Sequence, residues 1–233
     1  MWSALYQQRP DAPGGRVFQE EWFEHNRFDA AHPMFRQRNE GAGGRRRLST
    51  LSPTVIARYL SWDTALKDGE SNAYTAVTVG ELTPNYRLNI REVWRDRLQF
   101  PLLPDAIEHI ATRWNMDGLL RGVIIEDKAS GTSALQTLRA AAPAWLRDLL
   151  ISFQPNGDKE TRAKQSAVWC ANGSVSLPQP SDAVPWLFDF TRELFEFPRG
   201  AYADQVDSFA QLIIYLENML EEGYRVRVGA GRE

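Results

Sequence analysis

Residues 118–126 read GLLRGVIIE, an almost unbroken apolar run that ends on the acidic residue Glu126. A continuous apolar run of this length is what a parallel strand buried on both faces requires. An earlier run, TVIARYLSW at residues 54–62, is rich in β-branched and aromatic residues and is followed by Asp63. The chain therefore has two predicted strands, each with a carboxylate at its carboxyl end.

The segments between these two runs predict an antiparallel meander. NAYTAVTVGEL at 72–82 follows 54–62 after the turn KDGES, and YRLNIREVW at 86–94 follows after the turn TPN. Apolar and β-branched runs joined by short turns are typical of antiparallel strands. Residues 103–114 then carry apolar side chains at helical spacing, which predicts a helix before the strand at 118–126.

Beyond residue 126 the pattern alternates between helices and short strands. Predicted helices cover 132–142, 158–173, 184–197 and 203–222, and predicted strands cover 149–155 and 175–178. Three antiparallel strands followed by parallel α/β units fit an RNase H-like α/β fold, a mixed sheet flanked by helices. In that arrangement the first and fourth strands lie side by side at the centre, so we expect Asp63 and Glu126 at adjacent strand ends.

Residues 1–50 differ in composition from the rest of the chain. Gly, Pro and Arg dominate them and little periodicity is sustained, which indicates a linker or docking segment. We expect the RNase H-like domain to span residues 51–225 and a short tail to cover residues 226–233.

The composition bounds the class of protein. The chain has 233 residues, of which 43% are hydrophobic, and its net charge is -3, so any attraction for nucleic acid must come from local patches. The single cysteine, Cys170, excludes an intramolecular disulfide; we expect it to be a buried residue on a helix, which fits a reducing cytosol. No apolar run reaches the roughly 18 residues of a membrane-spanning helix. Residues 1–10 lack a signal-peptide pattern, so we expect an intracellular protein without a membrane partner.

Three acidic clusters stand where a strand or helix meets its neighbour. Asp63 and Glu126 end two predicted strands, and Asp204 and Asp207 begin the last predicted helix. Carboxylates at neighbouring strand ends, joined by a carboxylate from a packing helix, can hold divalent cations for phosphodiester cleavage. Because side chains alternate along a strand, only one of Glu126 and Asp127 can face this site, and we expect it to be Glu126.

Each cluster also has a purely structural interpretation. Asp63 alone could cap a turn. Asp204 and Asp207, three residues apart in the first helical turn, could satisfy the N-terminal amides and the helix dipole. A charge at the end of an apolar strand is costly unless it is paired or binds a metal, which favours a functional site at Glu126.

Four blocks of this sequence read SWDTALKDGESNAYTAVTV, VIIEDKASGTSALQTLR, GDKETRAKQSAVWCANGSVSLP and ADQVDSFAQ. These blocks resemble a known family, the C-terminal nuclease domain of tailed-bacteriophage terminase large subunits. The segment MWSALYQQRP…GGRVFQEEWF is also similar to the stretch that leads from that family's ATPase domain into its nuclease domain. The resemblance covers nearly the whole chain.

The resemblance implies a divalent-metal endonuclease that cuts concatemeric double-stranded viral DNA during genome packaging. On this basis Asp63, Glu126, Asp204 and Asp207 are the expected catalytic and metal-binding residues of a two-ion site for Mg²⁺ or Mn²⁺. Which of Asp204 and Asp207 is the direct ligand stays open. The implied partners are the portal protein, the small terminase subunit and an ATPase domain N-terminal to this segment, in the host cytoplasm.

The sequence departs from the family in two places. The last block of the family often reads His-Asp-Asp-Gln-Val-Asp, whereas this chain has Tyr202, Ala203 and Asp204 at the first three positions. One carboxylate and one imidazole are therefore missing. The chain also lacks a GxxxxGK[ST] loop, since GAGGRRRLST at 41–50 has neither the Lys nor the strand-to-helix context, so no ATPase motif is present.

DNA contacts are expected from basic side chains, because cutting with little sequence preference needs only phosphate contacts. An alternative for the α-helical cations is ion pairing along the helix, as between Glu160 and Lys164. The three histidines have no ligand spacing and are expected to be surface or core residues; they are His25, His32 and His109. The candidate DNA-binding residues are Arg45, Arg46, Arg47, Lys128, Lys159, Arg162 and Lys164.

Two alternative functions remain compatible with these residues. The first is a catalytically silent DNA-binding or docking module on the same fold, which the missing family positions near Ala203 favour slightly. The second is another RNase H-like nuclease, such as a Holliday-junction resolvase or a transposase.

Overall fold

Seven strands form one mixed sheet in this computed structural model. The structure describes residues 15–24, 26–30, 35–40, 46–51, 55–64, 74–128 and 130–230, with the backbone alone for 35–40, 46–51 and 224–230. The strands of the sheet are β1 (Arg27–Phe28), β4 (Ala57–Asp63), β5 (Thr75–Leu82), β6 (Leu88–Asp96), β7 (Leu120–Glu126), β8 (Leu150–Phe153) and β9 (Val175–Pro178).

The predicted strand arrangement at the centre of the sheet is confirmed. β4, β5 and β6 form an antiparallel meander, and β7 lies parallel to β4 on its other side. Trp62 is the register partner of Ile125, so Asp63 and Glu126 end two neighbouring parallel strands at the same edge. β8 continues the parallel half beyond β7, and β9 pairs with β6.

The predicted helices are also present, with ends that differ by one or two residues, except that the last helix extends to Ala230 rather than to residue 222. A 3-10 turn at Phe100–Leu102 precedes the first long helix. The helices are α1 (Glu21–Glu24), α2 (Leu103–Trp114), α3 (Ser130–Ala141), α4 (Ala144–Arg147), α5 (Lys159–Ala171), α6 (Trp186–Glu196) and α7 (Asp204–Ala230). No described helix is long and apolar enough to cross a membrane.

The N-terminal segment differs from the expected linker. Phe18 and Phe23 are fully buried in the main core, and β1 extends the sheet by pairing with β9. Residues 15–24 and 26–30 therefore pack against the domain that we predicted to begin at residue 51. Further along, Phe35–Glu40 (β2) and Arg46–Leu51 (β3) pair as an antiparallel hairpin.

Two layers of apolar side chains cover the sheet, one on each face. Along β4 the side chains alternate, so Leu60 and Trp62 pack toward α2 and α3, whereas Tyr59 packs toward α7. Asp63 lies an even number of residues from Tyr59 on β4, so its side chain is on the same face of the sheet and faces α7. Burying a large apolar side chain contributes about 1.5–3 kcal/mol, so these two layers hold the strand ends in place.

Helix α7 lies close against the strands that carry the site. A Cβ on Gly80 of β5 would stand 2.7 Å from Cδ2 of Leu212, so the absence of a side chain at Gly80 lets Leu212 of α7 pack directly against β5. The hydroxyls of Thr78 and Ser208 are 2.8 Å apart, and the Gln211 amide donates to Oγ of Ser61 at 3.0 Å. These contacts fix the first turns of α7 over the end of β4.

Candidate functional site

Three carboxylates converge at one edge of the sheet. Oxygen atoms of Asp63, Glu126 and Asp207 all lie within 4.8 Å of one another. Asp63 and Glu126 reach this point because β4 and β7 are parallel neighbours, and Asp207 reaches it from the first turn of α7. Side chains far apart in sequence therefore form one acidic centre, which we call the carboxylate centre.

Asp204 stands beside the carboxylate centre rather than in it. Its Oδ1 atom lies 3.7 Å from Nζ of Lys159, and it does not belong to the group of three oxygens. The two aspartates of α7, which the sequence could not tell apart, are thus at different distances from Asp63 and Glu126.

The amides that begin α7 are not bound by its own aspartates. Oε1 of Glu193 in α6 accepts hydrogen bonds from the backbone N–H of Gln205 at 2.7 Å and of Val206 at 3.3 Å. The structural interpretation of Asp204 and Asp207 as caps is therefore not needed for these two amides. The carboxylates of Asp204 and Asp207 are therefore available to other groups.

Asp127 points away from the carboxylate centre, as the alternation along β7 predicts. Its carboxylate accepts hydrogen bonds from Thr132 at 2.6 Å and from Ser152 at 2.7 Å. These hydroxyl donors lower the pKa of Asp127. Asp127 thus ties the end of β7 to α3 and β8.

Two cations of α5 contact the carboxylates. Nζ of Lys159 lies 3.2 Å from Oδ2 of Asp63 and 3.2 Å from Oδ2 of Asp207. Arg162 is buried and its Nη2 atom lies 2.5 Å from each carboxylate oxygen of Asp207. The surface role in DNA binding that we expected for Arg162 is not compatible with this position, because its guanidinium is occupied by Asp207 inside the protein.

The electrostatics of the centre disfavour charge on Asp63. Burial is the main cause that raises its pKa well above the ordinary value; Lys159 opposes the shift, and Asp207, Glu126 and Asp204 add to it. Burial also raises the pKa of Asp204, against Lys159 and Arg95. For Lys159 the burial is outweighed by the three aspartates, so its pKa is raised.

The donor set of the carboxylate centre suits a hard divalent cation. Mg²⁺ and Mn²⁺ prefer oxygen ligands, and the three clustered groups offer only carboxylate oxygens. A buried Asp63 that carries an unfavourable charge gains from a nearby cation. The residues therefore fit a divalent metal, with Asp63, Glu126 and Asp207 as the ligands within reach.

Two further predicted DNA-binding lysines lie at the surface. Lys128 is 60% exposed and its Nζ lies 3.3 Å from Glu126. Lys164 forms the anticipated pair with Glu160 at 2.7 Å.

The remaining predicted residues are only partly described. Arg45 lies outside the described residues, and Arg46 and Arg47 begin β3, of which only the backbone is described. Of the histidines, His109 is exposed on α2, and His25 and His32 fall outside the described part of the chain.

Sequence reasoning missed an arginine–tyrosine cluster beside the carboxylate centre. The guanidinium of Arg95 lies over the rings of Tyr74 and Tyr202, with ring centroids at 4.5 and 5.0 Å, and Arg97 lies over Tyr74 at 4.5 Å. Arg95 is the register partner of Ala76, which pairs with Asp63, so the cluster and Asp63 share a face of the sheet. The available signal was the alternate spacing of Arg91, Arg95 and Arg97, of which the first two lie in β6 and the third directly follows it.

The start of α3 is a second feature that the sequence did not single out. Oγ of Ser130 donates to the carbonyl oxygen of Thr64 at 2.9 Å, directly after Asp63. A Cβ on Gly131 would overlap the backbone carbonyl oxygen of Glu126. Ser130 and Gly131 thus bring the start of α3 against both strand ends that carry the candidate ligands.

Comparison with known families gives one match to most of the chain. The family described as the terminase RNaseH-like domain matches residues 60–216. A comparison with curated protein sequences finds no significant match.

Solved structures of low sequence identity share the fold. The large terminase nuclease from thermophilic phage G20c with bound cobalt has a TM-score of 0.54 at 15% identity, over 87% of this chain and 98% of that one. The large terminase from a second thermophilic bacteriophage has a TM-score of 0.54 at 10% identity, over 84% of this chain. This chain spans only 42% of that second terminase.

Proposed function

The chain belongs to the family of terminase RNaseH-like domains, and from this membership we propose that it is a divalent-metal-dependent endonuclease. Its proposed substrate is concatemeric double-stranded viral DNA, cut during genome packaging. The single observation that carries the proposal is the approach of Asp63, Glu126 and Asp207 to within 4.8 Å at one edge of the sheet. The cobalt bound by the G20c nuclease, a protein of the same fold, supports a metal at such a centre.

Asp63, Glu126 and Asp207 would hold Mg²⁺ or Mn²⁺, in a site for two ions. When bound, divalent cations lower the pKa of an attacking water and stabilise the leaving oxygen of a phosphodiester. The protein's own contribution is to keep the carboxylates in place: parallel strands position Asp63 and Glu126, and Arg162 holds Asp207. Asp204 lies close enough to act through Lys159 or as an outer ligand.

DNA contacts are proposed on the same face as the carboxylate centre. Exposed Arg97 lies against Tyr74, and Tyr202 is 43% exposed beside them. Arg97 offers phosphate contacts and the two rings offer stacking, both without base specificity. The adjacent strands of a sheet are about 4.8 Å apart, so β6 lies about 10 Å from β4, within the width of a bound duplex. Lys128, Lys164, Arg46 and Arg47 remain proposed contacts.

Further parts of a DNA-packaging machine are proposed as partners of this nuclease domain. The large terminase of the second thermophilic phage was solved with ADP and with ATP-gamma-S, and this chain spans about 40% of it. We therefore propose an ATPase domain N-terminal to this nuclease domain, and a portal protein and a small terminase subunit as partners. The site of action would be the host cytoplasm.

Plasmid nicking tests the proposal. The protein should cut supercoiled plasmid with Mn²⁺ and not with EDTA, and Asp63→Ala should abolish cutting while Arg147→Ala, at the opposite edge of the sheet, should not. Metal-dependent cutting by Asp63→Ala would overturn the assignment of the site.

The two alternatives predict different results. A catalytically silent module would show no heat of binding with millimolar Mg²⁺ or Mn²⁺ in calorimetry. A resolvase would cut four-way junctions in preference to linear duplex, whereas the proposed endonuclease should cut linear duplex at least as well.

A further inference from the structure

The ammonium of Lys159 lies among the carboxylates of the site. Its ammonium lies 3.2 Å from Asp63, 3.2 Å from Asp207 and 3.7 Å from Asp204. Two of these three residues belong to the oxygen set that fits a divalent metal. The ammonium and a metal ion therefore need the same oxygens.

We propose that Lys159 is an internal counter-ion that divalent cations must displace from Asp63 and Asp207, so that it sets the cation concentration at which the carboxylate centre fills. This inference rests on the proposed function and concerns the regulation of the same site. A metal ion and an ammonium within about 4 Å repel each other, and at a partly buried site this repulsion is not screened away. The two cations cannot both keep short contacts to Asp63 and Asp207.

The two cations of α5 differ in their freedom to move. The side chain of Lys159 is 45% exposed, whereas that of Arg162 is 5% exposed. Arg162 is also held by the carbonyl oxygen of Gly157 at 3.0 Å. Lys159 stands at the first position of α5 and has an unbranched, flexible stem that can turn its ammonium into solvent.

Arg162 therefore stays in place when Lys159 leaves. A carboxylate has about four lone-pair sites, so Asp207 can keep its hydrogen bonds to Arg162 and still coordinate an ion. The released ammonium of Lys159 lies at the mouth of the centre, where it can contact the phosphate of a bound strand. Metal binding thus converts Lys159 from an internal partner of the carboxylates into a surface cation.

The test measures Mn²⁺ affinity without DNA. Lys159→Met removes the charge and keeps a stem of similar length, and titration calorimetry should show Mn²⁺ binding about tenfold tighter than in the wild-type protein. Lys159→Arg keeps the charge and should not tighten binding. Arg147→Met changes the net charge equally at the opposite edge of the sheet and should leave the affinity unchanged.

Unchanged or weaker Mn²⁺ binding by Lys159→Met, with binding by the wild-type protein, would overturn this inference alone. Absence of Mn²⁺ binding in every variant and in the wild-type protein would overturn the proposed metal centre and this inference with it. Thermal unfolding tests the inference even when Lys159→Met is less stable than the wild-type protein. Mn²⁺ must raise the Tm of Lys159→Met more than that of the wild-type protein. An equal or smaller rise contradicts the displacement.

Discussion

Arg162 and Asp207 form a buried ion pair that joins α5 to the first turn of α7. Nη2 of Arg162 lies 2.5 Å from each oxygen of Asp207, and its Nε atom lies 3.0 Å from Oδ1. The two side chains are 5% and 3% exposed. The pair fixes a proposed metal ligand through a residue of another helix, and its loss has a measurable cost.

Arg162→Ala should lower the free energy of unfolding by about 3–5 kcal/mol, because it removes the guanidinium that binds both oxygens of the buried Asp207 carboxylate. Urea unfolding in EDTA measures this loss. Lys164→Ala on the same helix removes an exposed pair with Glu160 and should cost about 0.5 kcal/mol or less. Equal losses in the two variants would contradict the structural role of Arg162.

Asp63→Asn should stabilise the protein in EDTA at neutral pH. Burial raises the pKa of Asp63, so the folded state binds its proton more tightly than the unfolded state does. The charged form therefore costs stability, and this cost appears as the pH rises from the ordinary Asp value of about 3.9 through the raised folded value.

The gain in Tm should be about 2–4 °C for each kcal/mol of this charge cost that the substitution removes. The gain should shrink as the pH falls into the range between the ordinary and the raised pKa of Asp63. Thermal unfolding across pH checks this, with the exposed Asp182→Asn as control. A lower Tm of Asp63→Asn at neutral pH would show that its pairing with Lys159 outweighs its burial.

Asp207→Asn and Asp204→Asn should separate the two aspartates of α7. Only Asp207 belongs to the group of oxygens within 4.8 Å of one another, so its variant should lose more than about 100-fold in Mn²⁺-dependent nicking. Asp204→Asn should lose about tenfold, as for a residue outside the inner ligands. The reverse ranking would make Asp204 the direct ligand.

Gly131→Ala should weaken Mn²⁺ binding although Gly131 carries no ligand atom. Its Cβ would overlap the carbonyl oxygen of Glu126, so α3 or the end of β7 must shift. Gly223→Ala, in a part of α7 where a Cβ meets no atom within 4 Å, is the matched control and should stabilise by about 0.5–1 kcal/mol. Calorimetry and thermal unfolding of both variants test this, and wild-type Mn²⁺ affinity in Gly131→Ala would contradict the close packing.

Arg97→Ala should weaken DNA binding without changing Mn²⁺ affinity. If Arg97 contacts one phosphate, the slope of log K against log salt should fall by about 0.9. Binding to a duplex in Ca²⁺ at several salt concentrations measures the slope. Arg121→Ala, exposed at the other end of β7, should leave it unchanged, and an unchanged slope for Arg97→Ala would exclude this contact.

The central elements could be predicted because their signals are local. The apolar runs before Asp63 and Glu126 predict strands, because continuous apolar stretches are typical of strands that are buried on both faces. The short connection between β5 and β6 favours their antiparallel pairing. The packing of residues 15–24 and 26–30 against the domain could not be predicted, since the two residues of β1 pair with β9 across about 150 positions of sequence and carry no periodicity of their own.

The sequence by itself determined which carboxylates stand at strand and helix ends, since alternation along β7 separates Glu126 from Asp127 and the α7 pattern places Asp204 and Asp207 in its first turn. Only the tertiary structure decided that Asp207 rather than Asp204 joins Asp63 and Glu126, and that Lys159 and Arg162 face inward. The physical reason is that distances between separate elements depend on how helix α7 packs against the sheet and α5. That packing depends on contacts such as Leu212 against Gly80, which no local pattern encodes.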